Sequence, residues 1–176
     1  MSNPLPSREQ AIRLLQKNNC SPEVISHCEA VAELSLEIAK QLKKKGVTVN
    51  LKLVEAGALL HDIGRSKTNK VDHGVIGAQI AESEGLSEAV VKIIKRHVGG
   101  GFTAEEAAQF GWSRDTYTPF SLEEKVVSYA DKLVGNSKMK RVPIDVEIER
   151  LQAAGHKDGA QRVRKLHEEI TALLSN

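Results

Sequence analysis

The chain has 176 residues, 40% of them apolar but only 3% aromatic, with a formal net charge of +2 and a pI near 8.5. That length suits one domain over 1–176 that buries a full core without staples, and neither charge sign gathers in runs that would suggest a nucleic-acid or membrane surface. With no secretory leader pattern and no apolar stretch of about 18 residues, the chain reads as cytoplasmic, and Cys20 and Cys28 read as core packing rather than a disulfide.

Ser7 with Gln10 has the pattern of a capping box and predicts a short helix through Ile12, Leu14 and Leu15 to about Lys17. Ser21-Pro22 joins an N-cap to a proline at the first helical position and opens a long helix to about Lys45. Its stripe of Val24, His27, Cys28, Val31, Leu34, Ile38 and Leu42 turns His27 inward. Asn50 caps a third helix in which Leu53, Val54, Gly57, Ala58 and His61 share a face, so the pair His61-Asp62 reaches the core where Gly64 supplies a stop. A basic polar loop, Ser66 to Lys70, follows. The next helix, from Val71 to about Glu84, carries His73 with Ile76, Gly77 and Ile80 on one face.

Ser87 opens a helix that aligns Val90, Ile93, Ile94 and His97 and stops in Gly99-Gly100-Gly101. Thr103 and Glu106 cap a short helix closed by Gly111, and a loop runs from Trp112 to Phe120. Ser121 with Glu124 begins a helix in which Val126, Val127, Ala130, Leu133 and Val134 surround Asp131. A basic linker over 137–143 leads to helices from about Asp145 to Ala154 and through Val163, Leu166, Ile170 and Leu173. No segment alternates as a strand does, and the expected architecture is an all-α bundle with the helices of 145–174 packed on the rest.

Four histidines on inward stripes and two aspartates in apolar surroundings come from five helices: His27, His61, Asp62, His73, His97 and Asp131. Any one alone reads as a core group bonded to a carbonyl, or as a cap. Together they are costly to bury, because the core offers few other polar groups to satisfy them. Imidazoles and carboxylates without thiolate suit zinc, manganese, iron, cobalt or nickel better than calcium or magnesium, and six ligands exceed one tetrahedral site. Two cations sharing a carboxylate or a water account for the number. Such a pair lowers the pKa of a bound water and stabilises charge on phosphoryl oxygens, so the chemistry expected is phosphoester or phosphoanhydride hydrolysis. Arg65, Lys67, Arg96 and the glycines around Gly100 are candidates for the substrate phosphates, a plain inter-helix loop being the other reading of the glycines.

The order His27, His61-Asp62, Asp131, with the local text HDIG, resembles the HD-domain superfamily of metal-dependent phosphohydrolases over roughly Ser21 to Asn136. The resemblance implies an all-α HD bundle in which those four residues bind a divalent metal. His73 in DHGVIGA and His97 in IIKRHVGGG resemble the subset with two metals, where Asp62 would bridge the ions and a bridging water would be the nucleophile. The cyclic-dinucleotide phosphodiesterases with a GYP motif differ, since no GYP follows the HDIG and Arg96-His97-Val98 stands where they pair two histidines. The bacterial hydrolases of dinucleoside tetraphosphates are more similar, through His97, Gly99 and Ala130-Asp131-Lys132, although the spacer from Gly101 to Phe120 is longer than theirs. The overall likeness is greatest to small HDIG proteins of archaea, which supply no substrate.

By that resemblance Arg65 and Lys132 contact phosphate. Lys132 lies about 100° around the helix from Asp131 and could instead face solvent. His156 and His167 are expected at the surface. The leading expectation is an enzyme that hydrolyses a nucleotide or dinucleotide by attack of a metal-bound hydroxide. The alternatives are a regulatory module that binds metal and nucleotide without turnover, and a metal-free polar network. The expected partner is a small phosphorylated molecule, with self-association left open.

Overall fold

The computed structural model describes residues 5–135 and 140–175, so the basic linker expected over 137–143 lies partly outside the described residues. Nine α-helices run through these residues: α1 (Arg8–Lys17), α2 (Pro22–Lys44), α3 (Leu51–Leu60), α4 (His73–Ser83), α5 (Glu88–Arg96), α6 (Ala104–Gln109), α7 (Leu122–Leu133), α8 (Ile144–Ala153) and α9 (Lys157–Ser175). An isolated antiparallel bridge joins Val134 and Arg141, and no strand forms among the described residues. No helix among them is long and apolar enough to cross a membrane.

Local chemistry starts most of these helices. Ser7 and Gln10 form both bonds of the capping box of α1, and Thr103 with Glu106 does the same for α6. Ser21, Asn50, Ser87 and Ser121 each accept a bond from the backbone N–H three residues on. The long α2 packs on α3 and α7, burying Cys28, Val31, Ile38 and Leu42, while α5 packs on α3, α4 and α7. The small residues of α3 bring it close to its neighbours: a Cβ on Gly57 would stand 2.4 Å from Ile93 Cδ1. The helix pair α8 and α9 packs through α9 onto α7.

Two local expectations change. The chain leaves α3 at His61 and continues through Asp62 into a 3-10 turn, Ile63–Ser66, instead of stopping at Gly64. Gly64 does not have a positive φ. Its requirement is space, because a Cβ there would lie 1.9 Å from the carbonyl oxygen of His73 and 2.7 Å from Gly77 N. The expected start of α4 also moves, from Val71 to His73. Glycines at 64 and 77 thus let the HDIG turn lie directly against α4, and His73 is the first residue of that contact.

Gly64→Ala therefore forces backbone to shift at the turn carrying Asp62. A loss of about 1–3 kcal/mol is expected in denaturant unfolding, and an unchanged midpoint would show that the close approach is not needed.

Candidate metal centre

The six polar residues reach one point from five elements. His27 stands in the second turn of α2 and Asp131 in the last turn of α7, whereas His61 and His97 follow the last residues of α3 and α5, and His73 begins α4. Helix ends matter here, because the last carbonyls of a helix lack an N–H partner from the next turn. The Nδ1 atoms of His61 and His97 donate to the carbonyls of Ala58 and Ile94, three residues back, and Nδ1 of His73 donates to that of Lys70, each at 2.7 Å. A carbonyl can only accept, so these three rings carry their hydrogen on Nδ1 and turn Nε2 to the centre.

What Nε2 meets there are acceptors. Asp62 Oδ1 lies 3.2 Å from His73 Nε2 and 3.3 Å from His97 Nε2, and those two nitrogens are 3.1 Å apart. His61 Nε2 lies 3.3 Å from Asp131 Oδ1 and 3.6 Å from Asp62 Oδ2. His27 Nε2 reaches Asp131 Oδ1 at 3.0 Å. His61 Nε2 and Asp62 Oδ1 are buried without a hydrogen-bond partner. Lone pairs facing lone pairs in a buried site need positive charge between them, supplied by protons or by a cation. Two triads have donor atoms close enough to share an ion, His27 with His61 and Asp131, and His61 with Asp62 and His97. The donor set of nitrogen and carboxylate oxygen fits a divalent transition metal.

Electrostatics agree with that tension. Burial opposes charge on Asp62, but His61 beside it and the close approach of His73 and His97 override it and hold the carboxyl well below its usual range. Burial also opposes protonation of His61, yet Asp62 beside it raises the imidazole well above its ordinary value. Burial, opposed by Asp62 and aided by His61 and His73, pushes His97 down to about 4. Asp131 is depressed as well, against burial, by His27 and His61 beside it.

The basic candidates separate. Arg65 donates Nε–H to Asp62 Oδ2 at 2.6 Å and lines a cleft of about 1020 Å³ that opens over His27, His73, His97 and Asp131. Gly100 lines the same cleft, and a Cβ there would lie 2.2 Å from the carbonyl oxygen of Gly159, so glycine is needed for the approach of α9. Lys132 does not face solvent. It is buried and donates to the carbonyl of His97 at 2.8 Å and to Ser128 Oγ at 3.2 Å, so its ammonium is already engaged in tying α7 to the end of α5. Arg96 turns away from the centre, because Glu124 holds its Nη1 at 3.0 Å and Thr116 O takes its Nε–H at 3.1 Å. Lys67 is exposed and does not line the cleft.

Of the two outlying histidines, His156 is exposed but lines the cleft, and His167 is half-buried with Nδ1 2.8 Å from the Tyr129 hydroxyl. The sequence reading passed over Lys70, Arg150, Lys157 and Arg162, which also line the cleft. The charge spacing of α8 and α9 gives no sign of that, since their approach to the glycine turn is a tertiary contact.

The HD domain family profile matches residues 24–136, nearly two thirds of the chain and all six clustered residues. The chain belongs to the HD domain family. The uncharacterized protein MJ0778 of Methanocaldococcus jannaschii is 43% identical to this HD protein over 168 residues, covering 94% of this chain and 98% of that one. A tRNA (cytidine(56)-2'-O)-methyltransferase of Thermoplasma volcanium is 35% identical over 170 residues, which are 97% of this chain but 48% of that protein, so the chain spans about half the length of that relative. Ribonuclease Y of Borreliella burgdorferi is 30% identical over 125 residues, 69% of this chain and 20% of that protein. Among solved structures, the HD domain of the L. monocytogenes phosphodiesterase PgpH in complex with cyclic-di-AMP has the same fold, with a TM-score of 0.58 at 15% identity over 94% of this chain and 93% of that one.

A metal that relieves the facing lone pairs stabilises the fold by mass action. At a free concentration of manganese, iron, cobalt, nickel or zinc near 100 times Kd, the melting temperature is expected to stand about 5–10 °C above that of chelated protein. Equal melting in both, with no metal in protein purified without additions, would favour the metal-free network.

Proposed function

We propose that this HD domain hydrolyses a phosphoester or phosphoanhydride bond in a nucleotide or dinucleotide, with His27, His61, Asp62, His73, His97 and Asp131 holding one or two divalent transition-metal ions. One observation carries the reading: three imidazoles are fixed by backbone carbonyls in the tautomer that bares Nε2, and two of them, His73 and His97, aim at Asp62 Oδ1, a buried carboxylate oxygen with no hydrogen-bond donor. When bound, divalent ions at such a site lower the pKa of a water and offset negative charge on phosphoryl oxygens.

The chain's own groups do the rest. Asp62 is held by Arg65 on one oxygen and approached by His73 and His97 on the other, and His61 is common to both triads, so the two lie side by side. Arg65 spends one of its five N–H donors on Asp62, and the others are available to a phosphate in the cleft. Lys132 keeps the backbone carbonyl of His97 in place, and the Nδ1–H bond to the Ile94 carbonyl sets the ring against rotation away from Asp62. Among relatives, the names ribonuclease and phosphodiesterase both denote phosphodiester cleavage, and the PgpH complex contains a dinucleotide; this supports the reaction class proposed here. No methyl transfer is assigned, since the chain spans under half of the methyltransferase. We place the activity in the cytoplasm.

The test is a nucleotide and dinucleotide panel assayed with manganese, iron, nickel and cobalt. Asp62→Ala is expected to lose both bound metal and turnover, and Arg65→Gln to retain metal while turnover falls about 10- to 100-fold. Wild-type metal content and activity in Asp62→Ala would end the mechanism, and tight nucleotide binding with no product would make the domain a binding module.

A further inference from the structure

The chain is poor in aromatic residues, with three Phe, two Tyr and one Trp. Four of them stand together between positions 102 and 117. Phe110 and Trp112 stack with centroids 4.9 Å apart and planes at 29°, Phe102 meets both edge-on at 5.4 Å, and Trp112 lies 5.2 Å from Tyr117. Only Tyr117 is core-like, 2% exposed with the Lys95 ammonium 4.9 Å above its ring. Phe110 is 45% exposed, and both Phe102 and Phe110 line the cleft that contains His27, His73, His97 and Asp131.

Phenylalanine left at the surface beside a polar site has lost the burial that would stabilise it elsewhere. The segment is nonetheless firmly held. Phe102 and Tyr117 exchange both backbone hydrogen bonds, at 3.3 and 3.1 Å. Arg162 of α9 donates to the carbonyl of Gly101 and to both oxygens of Glu106, and Arg96 holds Thr116 from the other side. Gly101 crosses the chain at Thr118 so closely that a Cβ would lie 2.7 Å from Thr118 Cα. A rigid, half-exposed aromatic surface beside a cleft suits a flat, apolar, π-rich ligand group, because an ordered platform loses little entropy on stacking.

We propose that Phe102 and Phe110, backed by Trp112, form a nucleobase-stacking subsite at the rim of the cleft, so that the substrate is recognised by its base at one end and its phosphate at the metal-ligand end. The proposal rests on the phosphohydrolase reading for its phosphate end alone. Stacking on aromatic rings tolerates any base, so the subsite selects nucleotides over base-free phosphates without selecting strongly among bases.

The experiment titrates manganese-loaded protein calorimetrically with AMP and with ribose 5-phosphate, its base-free counterpart, KM replacing Kd if either is turned over. AMP is expected to bind about 5- to 150-fold more tightly. Phe110→Ala, at an exposed position, is expected to remove that gap while leaving ribose 5-phosphate unchanged, and Phe110→Tyr to retain it. The emission of Trp112, the single tryptophan, is expected to change with AMP and not with ribose 5-phosphate. Equal affinities in the wild type, a gap untouched by Phe110→Ala, or no AMP binding would each overturn the subsite. Failure of the phosphohydrolase reading is distinct, since it is seen as no product from any nucleotide while the affinity gap persists.

Discussion

A carboxylate almost sealed from water, with imidazole lone pairs turned toward it, is a costly object to build, and much of the fold is arranged around Asp62. One oxygen takes the Nε–H of Arg65, and the other faces Nε2 of His73 and His97 with no donor assigned. Three histidines are held in this orientation by the same device: a ring beside a helix end, donating Nδ1–H to a carbonyl three residues earlier. The device uses helix ends, and helix ends converge only if helices approach closely. Glycines permit that, with Gly64 against the backbone of α4 and Gly77 against Ile94 of α5. Packing and electrostatics are thus two sides of one constraint. The glycine contacts bring the imidazoles in, and the imidazoles make the buried aspartate tolerable only with positive charge in their midst.

Much of this could be read before the fold was seen. Capping patterns at Ser7, Ser21, Asn50, Thr103 and Ser121 locate helix starts, because a cap is a bond between neighbours in sequence. Inward stripes point His27, His61, His73 and His97 to a common interior, and the structure gathers all four with Asp62 and Asp131. The 3-10 turn after Asp62 was not legible, nor was the reason for Gly64, since both depend on where α4 lies. Basic residues were least legible. Arg96 and Lys132 sit beside candidate ligands in sequence, but their partners, Glu124 and the His97 carbonyl, are separated from them by 28 and 35 positions. Lys132 also stays within 3.7 Å of its neighbour Asp131, so adjacency gives one partner of a long side chain and not the distant one that orients it.

That capture changes what the cleft can offer an anion. Arg96 is committed to Glu124, and Lys132 lines the cleft but is bonded to the end of α5 and lies 3.7 Å from Asp131 Oδ2, so the remaining positive charge facing the opening comes from Arg65, from Lys70 in the loop before α4 and from Lys157 at the start of α9. Arg150 and Arg162 also line it, but each already pairs with a glutamate. The cleft is therefore mixed in sign rather than a strongly positive trough. A mixed cleft favours a ligand that presents a small number of charges at a fixed place, and disfavours one held by charge along its whole length.

The aromatic segment gives that argument its other half. Arg162 serves as a joint, since its pairing with Glu106 and its bonds to the carbonyls of Gly100 and Gly101 tie α9 both to the glycine turn after His97 and to the helix that precedes Phe110. The distance between the imidazole cluster and the aromatic rim is consequently fixed by a bonded path through α5, the glycine turn and α6, not by a free loop. Two contact points with fixed separation discriminate by length as well as by chemistry, because a ligand that reaches only one forfeits the other. Under the functions proposed above, a bare phosphate reaches the metal ligands alone and a nucleoside reaches the rim alone. On that reading a molecule bearing both groups engages both ends, with its phosphate beside the residues that make the buried aspartate costly.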